Sequence, residues 1–137
     1  MRQFVDTNVL VYAADASAGV KHVRAAELLG QLWNKGEACA SVQVLQELHH
    51  NLTRKIPNPL SVRESMAEIE DYAGWPIFAP SASDVIAAIR LQILHRLSFW
   101  DALIVQAALA LGCGILWTED LQHGMRFGEL TVQNPFA

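Results

Sequence analysis

Four carboxylates, Asp6, Glu47, Asp101 and Asp120, fall where one cleft could collect them. Asp6 ends a short apolar start, Phe4-Val5, and Asp120 comes two residues after Ile115-Leu116-Trp117-Thr118. Asp101 is the one charge in the most apolar run of the chain, Leu97 to Trp117. Glu47 flanks an apolar stripe of Val44, Leu45, Leu48 and Leu52. At 100° per residue it lies about 115° from the centre of that stripe, able to face a cleft or water. Like charges in one cleft raise each other's pKa, so four carboxylates there cannot all stay ionised unaided. A divalent cation resolves the conflict. Mg²⁺ or Mn²⁺ prefers oxygen donors, takes only a few carboxylates, and keeps its other positions for water and phosphate. Such a set suits metal-assisted phosphodiester hydrolysis, with the ion activating a water and steadying the leaving oxygen.

Taken singly, each acid also has a plainer use. Asp6, Thr7 or Asn8 would N-cap the helix that follows them. Asp101 stands three residues after Ser98, near capping-box spacing, and Asp84 repeats the arrangement after Ser81. Glu47 would be a solvated helix residue and Asp120 a turn acid. The combination argues for more: two of these acids terminate strands, and the others sit on helices beside the same sheet edge.

The elements that would position them can be read from spacing and punctuation. Phe4-Val5 is a strand, Asp6 to Asn8 a polar turn, and Val9 to Ala14 a short helix. Lys21 to Lys35 has apolar residues at 25, 28, 29, 32 and 33 and is closed by Gly36, the pattern of an amphipathic helix. Ala38 to Val42 forms a second strand, and a helix from Gln43 to Lys55 is ended by Ile56-Pro57-Asn58-Pro59. A helix from Ser61 to Ala73 opens with the capping-box pair Ser61 and Glu64. Trp75 to Phe78 is a third strand, Ser81 to Arg96 and Ser98 to Leu111 are helices, Ile115 to Thr118 is a fourth strand, and Leu130 to Val132 a fifth. Strands alternating with helices imply a parallel sheet covered on both faces, with sites at the carboxyl ends of its strands.

The 137 residues suffice for one domain, and 52% hydrophobic content can build a core without staples. Charged residues, at 18%, are fewer than the usual ~25%, which suits a body with a sticky face such as a dimer interface. A net charge of −4 excludes a basic nucleic-acid-binding tail, so any such contact comes from a local patch or from metal ions. Cys39 and Cys113 match no ligand spacing and read as reduced core residues of a cytosolic protein. A carboxylate by position 6 leaves no signal-peptide apolar stretch ahead of it, so a cytoplasmic location is expected. The Leu97 to Trp117 run has nearly the ~20 residues needed to span a bilayer, but Gly112-Cys113-Gly114 splits it. A helix, a glycine stop and a short buried strand account for it, and no membrane segment is expected.

Other residues invite sharper readings. His49 and His50 point about 100° apart on a helix, so they suit no shared zinc. Lys21, Arg24, Arg54 and Lys55 are either phosphate contacts or plain surface charges. Trp75, Trp100 and Trp117 are expected in the core rather than as base-stacking platforms.

In order, FVDTNVLVYA, LQELHHNLTRK, LSFWDALIVQAALALG and ILWTEDLQHG resemble the PIN-domain family, especially its VapC-type toxin ribonucleases. The resemblance runs from Phe4 to Val132-Gln133-Asn134-Pro135-Phe136. It implies one PIN-like domain over residues 1–137: a three-layer α/β/α sandwich with a mostly parallel sheet of four to five strands. It further implies an Mg²⁺- or Mn²⁺-dependent endoribonuclease, the toxin of a type II toxin-antitoxin pair, acting on RNA. Residue by residue, the family's first acid falls on Asp6, its helical glutamate on Glu47, its third acid on Asp101, and its Thr-x-Asp acid on Asp120, as catalytic metal ligands. Thr7, Asn8 and Thr118 then orient carboxylates or waters. Glu119 adjoins Asp120, although the pattern favours Asp120. The resemblance also implies a homodimer and a small cognate antitoxin whose inserted segment blocks the acidic cleft. A PIN nuclease of RNA processing, or one acting on DNA, fits the same motifs. Haloacid-dehalogenase-like phosphatases also end an early strand in Asp, but they need a second acid where Asn8 stands. A binding module without chemistry would have lost an acid, and all four are present.

Overall fold

In the computed structural model, which describes residues 1–137, the chain starts as a three-residue buried strand, β1 (Gln3–Val5). Asp6 stops it by capping α1 (Thr7–Ala14), its Oδ1 accepting from the Thr7 amide at 2.7 Å. The helix therefore begins two residues before the expected Val9, and Thr7 and Asn8 belong to its first turn. A short 3₁₀ turn (Ala16–Ala18) leads to α2 (Val20–Lys35). That helix ends where Gly36, at φ +65°, turns left-handed and returns its amide to the Leu32 and Trp33 carbonyls.

Next come β2 (Ala38–Ser41) and α3 (Val42–Arg54), the latter capped by Ser41 Oγ on the Val44 amide. Leu48 and Leu52 of α3 are fully buried, each contributing roughly 1.5–3 kcal/mol. Their burial fixes the rotation of the helix that carries Glu47. The capping boxes expected from Ser61 with Glu64 and Ser81 with Asp84 open α4 (Val62–Tyr72) and α5 (Ala82–His95), on either side of β3 (Ile77–Phe78). After α6 (Phe99–Ala110) come β4 (Ile115–Trp117), β5 (Arg126–Phe127) and β6 (Leu130–Gln133).

The six strands form one sheet in the order β3-β2-β1-β4-β6-β5. Every pairing is parallel except β5 with β6, so the sheet is mostly parallel as expected. It has one strand more than expected: Arg126–Phe127 pairs back on Leu130 and Thr131 across a Gly128-Glu129 loop with Gly128 at φ +62°. From β1 the chain winds through β2 to β3, then returns past β1 to β4. Right-handed crossovers put α1 to α4 on one face, where α1 packs on α2 and α3, and α3 on α4. The reversal sends the α5–α6 pair to the opposite face, giving three α/β/α layers. The core joins Phe4, Val5, Cys39, Leu116 and Val132 of the sheet to Leu10, Leu48, Leu52 and Val105 of the helices. Cys39 and Cys113 meet there as free thiols, Sγ to Sγ 3.2 Å. No single helix is long and apolar enough to cross a membrane.

Candidate active site

The winding reverses between β1 and β4, and at such a switch point the carboxyl ends of adjacent strands part to leave a crevice. Asp6 follows β1 there, and Thr118 to Asp120 follow β4. The Asp6 amide still pairs with the Trp117 carbonyl at 3.0 Å, so both loops leave the sheet from a fixed register. A cleft of about 130 Å³ opens at this point, lined by Asp6, Glu47, Asp101 and Asp120 together with Thr7, Asn8, Gln43, Asn51, Trp100 and Ile104. All four acids expected from the sequence therefore share one cleft, delivered by β1, α3, α6 and the β4 loop.

Hydrogen bonds fix them unequally. Asp6 is buried; Oδ1 takes the Thr7 amide and Oδ2 takes the Thr118 hydroxyl at 2.8 Å. Asn8 Nδ2 reaches Asp120 Oδ2 at 3.0 Å and Thr118 Oγ1 at 3.1 Å, while Asn8 Oδ1 accepts from the Glu119 amide. Thr7 donates its hydroxyl to Glu47 Oε1 at 3.3 Å, so Glu47 faces the cleft. The three polar residues expected to orient the acids thus each touch at least one of them.

Asp101 differs. The Ser98 hydroxyl caps its amide at 3.1 Å, but the return bond from the Ser98 amide to the carboxylate, present in the Ser81–Asp84 box, is absent. Capping and cleft duties are split between the two ends of the residue: its backbone is capped, and its carboxylate is left to the cleft.

Crowding shows in the electrostatics. Burial pushes the Asp6 carboxyl up to about 7, with the charges of Asp120 and Glu47 adding to it and the bonds from Thr118 and Thr7 opposing it. Glu47 and Asp120 are also raised, first by partial desolvation and then by neighbouring acids, Asp101 among them. All the ionisable donors in the cleft are oxygens, the chemistry of a hard divalent cation. No three acidic, histidine or cysteine side chains converge at metal-ligand spacing anywhere in the chain. The donor set still fits Mg²⁺ or Mn²⁺, because such an ion binds through one or two carboxylates and fills its remaining positions with water.

The other candidates sort clearly. Glu119 turns away from the cleft, accepting from Tyr12 Oη at 2.7 Å and pairing with Lys21 Nζ at 2.8 Å. That pair occupies Lys21, whose ammonium also lies over the Tyr12 and Phe136 rings. Lys55 lines a groove adjoining the cleft, sharing Asn8 and Asn51 with it, whereas Arg54 is exposed and lines neither. His49 Nδ1 meets Ser65 Oγ at 2.8 Å. Trp75 packs edge-on against Trp33 and Tyr72, and Trp117 donates to Gln3, both in keeping with core positions. Trp100 does not: it is 64% exposed at the rim of the cleft, because α6 buries Ala102, Val105 and Ala108 instead. Gln43 was not singled out by the sequence reading, yet it stands four residues before Glu47 as Asn51 stands four after. Helical periodicity alone places all three on one face.

Comparison with known proteins agrees with this architecture. A toxin-antitoxin complex from Klebsiella pneumoniae superposes with a TM-score of 0.71 at 16% identity, over 97% of both chains. VapBC2 from Rickettsia felis, bound to a DNA fragment from its promoter, gives 0.69 at 20% identity over 98% of both. VapC20 of Mycobacterium tuberculosis, a sarcin-ricin loop cleaving toxin, gives 0.63 at 19% identity, covering 82% of this chain and 85% of its own. At these identities the likeness establishes a shared fold. No curated protein sequence matches the chain. The PIN domain family matches residues 4–124, spanning the cleft and all four of its acids, and the chain belongs to that family.

Proposed function

We propose that this protein is a metal-dependent endoribonuclease that hydrolyses RNA phosphodiester bonds at the four-carboxylate cleft, and the toxin of a type II toxin-antitoxin pair. The observation that carries the reading is the gathering of Asp6, Glu47, Asp101 and Asp120 around one cleft at the sheet's switch point. Toxins of the same fold, one of them a cleaver of the sarcin-ricin loop, support the choice of RNA and of a toxin's role.

Asp6, Asp101, Asp120 and Glu47 would hold Mg²⁺ or Mn²⁺. The bound ion supplies neutralising charge for the phosphate and acidification of water. The chain's own residues do the rest. Thr118 and the Thr7 amide orient Asp6, Asn8 orients Asp120, and Thr7 orients Glu47. Burial holds the Asp6 carboxyl at about 7, so it exchanges its proton near neutrality and would be held ionised beside a bound cation. The proposed setting is the cytoplasm. Ile86, Ile89, Ile93 and Leu94 of α5 are exposed, an apolar surface suited to a homodimer or to an antitoxin.

The test is cleavage of labelled single-stranded RNA by the purified protein in Mg²⁺ or Mn²⁺, with EDTA and with Asp101→Asn as controls. Cleavage that stops under both conditions is expected. Cleavage that persists under either would overturn the metal mechanism. A short reading frame beside the gene, encoding a protein that binds and silences the enzyme, is expected if it is a toxin.

A further inference from the structure

In the nuclease reading a bound cation would neutralise the phosphate at the bond being cut, but it does not account for how the strand beside that bond is held. No Lys or Arg lines the acidic cleft itself, Lys55 is the one basic side chain lining the grooves that adjoin it, and the chain is acidic overall. Contacts from basic side chains to phosphates, the usual source of affinity for a nucleic-acid strand, are therefore few where the strand must be held. A further surface must add to that affinity.

A second adjoining groove, without basic residues, can. It measures about 360 Å³ and runs between the start of α3, the β3–α5 junction and the first turns of α6. Phe78, Trp100 and Leu103 give it apolar walls, and Gln43, Gln46 and Gln106 bring amides. Gln43 and Trp100 line the acidic cleft as well, so the two spaces are continuous. Trp100 immediately precedes Asp101 in α6. Its carbonyl accepts from Gln43 Nε2 at 3.3 Å, and Phe99 backs its ring edge-on at a centroid distance of 5.1 Å, while most of the indole stays open.

We propose that this groove is a nucleobase subsite, in which Trp100 stacks on an unpaired base of the RNA strand next to the bond being cut. The inference rests on the nuclease reading and adds to it a source of affinity. Stacking is indifferent to phosphate charge and available to every base, so it adds affinity where basic side chains are few. Glutamine amides offer a donor and an acceptor to a base edge, which apolar contact with another protein surface would not require. The exposed apolar residues of α5 lie off the groove, so they compete for neither wall.

The experiment compares the native chain with Trp100→Ala and Trp100→Phe on a short single-stranded RNA. Cleavage in Mg²⁺ gives KM and kcat separately. Fluorescence anisotropy, with each Trp100 variant combined with Asp101→Asn to block cleavage, gives affinity. Trp100→Ala is expected to weaken binding about 5- to 150-fold, the range of base–aromatic stacking, raising KM with kcat little changed. Trp100→Phe should restore most of the affinity. On an RNA whose bases are replaced by abasic sites, Trp100→Ala should change nothing. Affinity unaltered by Trp100→Ala, or lost equally on the abasic strand, overturns the subsite and leaves the nuclease standing. If sedimentation velocity shows Trp100→Ala dissociating a dimer while RNA affinity holds, the groove is an interface between copies and the subsite is wrong. A native chain that neither binds nor cleaves RNA removes the nuclease reading and this inference together.

Discussion

Thr118 Oγ1 donates a 2.8 Å hydrogen bond to Asp6 Oδ2, tying the carboxyl end of β4 to that of β1 across 112 residues of sequence. The same fully buried hydroxyl accepts from Asn8 Nδ2 and from the Asp120 amide. One oxygen thus sets the spacing of two of the four acids, Asp6 and Asp120. Parallel strands end side by side without a hairpin to hold them, and a side chain bridging the two ends does what a tight turn does elsewhere.

Thr118→Val keeps the shape and removes all three bonds. Asp6 would lose a stabilising donor in a buried site, and Asn8 and the Asp120 amide would lose an acceptor. Expected are a loss of about 1–3 kcal/mol in urea unfolding and a fall of about 10- to 100-fold in RNA cleavage, the usual result of disturbing a group that orients metal ligands. Thr118→Ser should retain most of both. Unchanged cleavage in the valine variant would mean that Asp6 is oriented by something else.

Asp6 also predicts how stability without metal depends on pH. Its carboxyl moves from an ordinary 3.8 to about 7 on folding, chiefly through burial. The folded state therefore favours the protonated acid. That contribution is fully present below about pH 4 and is lost as the pH rises through about 7, to a total of at most roughly 4 kcal/mol. Urea unfolding in EDTA from pH 4.5 to 8 should show Asp6→Asn gaining on the native chain as the pH rises. Mg²⁺ added at pH 8 should restore the native chain and leave the variant unmoved. Parallel curves would mean that Asp6 ionises without penalty.

What could be read beforehand follows from how local each signal is. The two capping boxes, the Gly36 stop and the period of α3 depend on neighbours within four residues, and all appear as expected. The acids could be gathered in advance because strand ends and open sheets share a simple geometry. Strand β5 was illegible: two residues, one an exposed Arg126, have no pattern, and only pairing with β6 makes them a strand. Trp100 was expected in the core because α6 is apolar nearly all round, which hides which face the sheet covers. Lys21 could not be told from a free cation, since its partner Glu119 lies 98 residues away.

Glu119 and Asp120 are adjacent acids with opposite surroundings, and they should respond differently. Glu119 is engaged with Tyr12 and Lys21, outside the cleft. Glu119→Gln should leave cleavage within about twofold and stability within about 1 kcal/mol, as for an ion pair open to solvent. Asp120→Asn should lower cleavage at least tenfold and weaken Mg²⁺ binding measured by calorimetry. Equal effects of the two would place Glu119 in the site and undo this assignment.

Asp84 and Asp101 make the sharpest internal comparison, because each stands three residues after a serine at the start of a helix. Asp84 closes its box with a 2.8 Å bond from the Ser81 amide and accepts from Gln106 as well. Asp101 makes no such return bond, and its charge raises the pKa of Glu47 and Asp120. The first aspartate therefore stabilises the fold, and the second strains it for the sake of the cleft. Asp84→Ala should lower stability by about 0.3–1.5 kcal/mol with cleavage retained. Asp101→Ala, measured in EDTA at pH 8, should leave stability equal or higher, because it relieves repulsion without breaking a bond. Its cleavage should fall at least about 100-fold. If Asp101→Ala instead destabilised the protein as Asp84→Ala does, its carboxylate would be a cap after all, and the cleft would keep three acids.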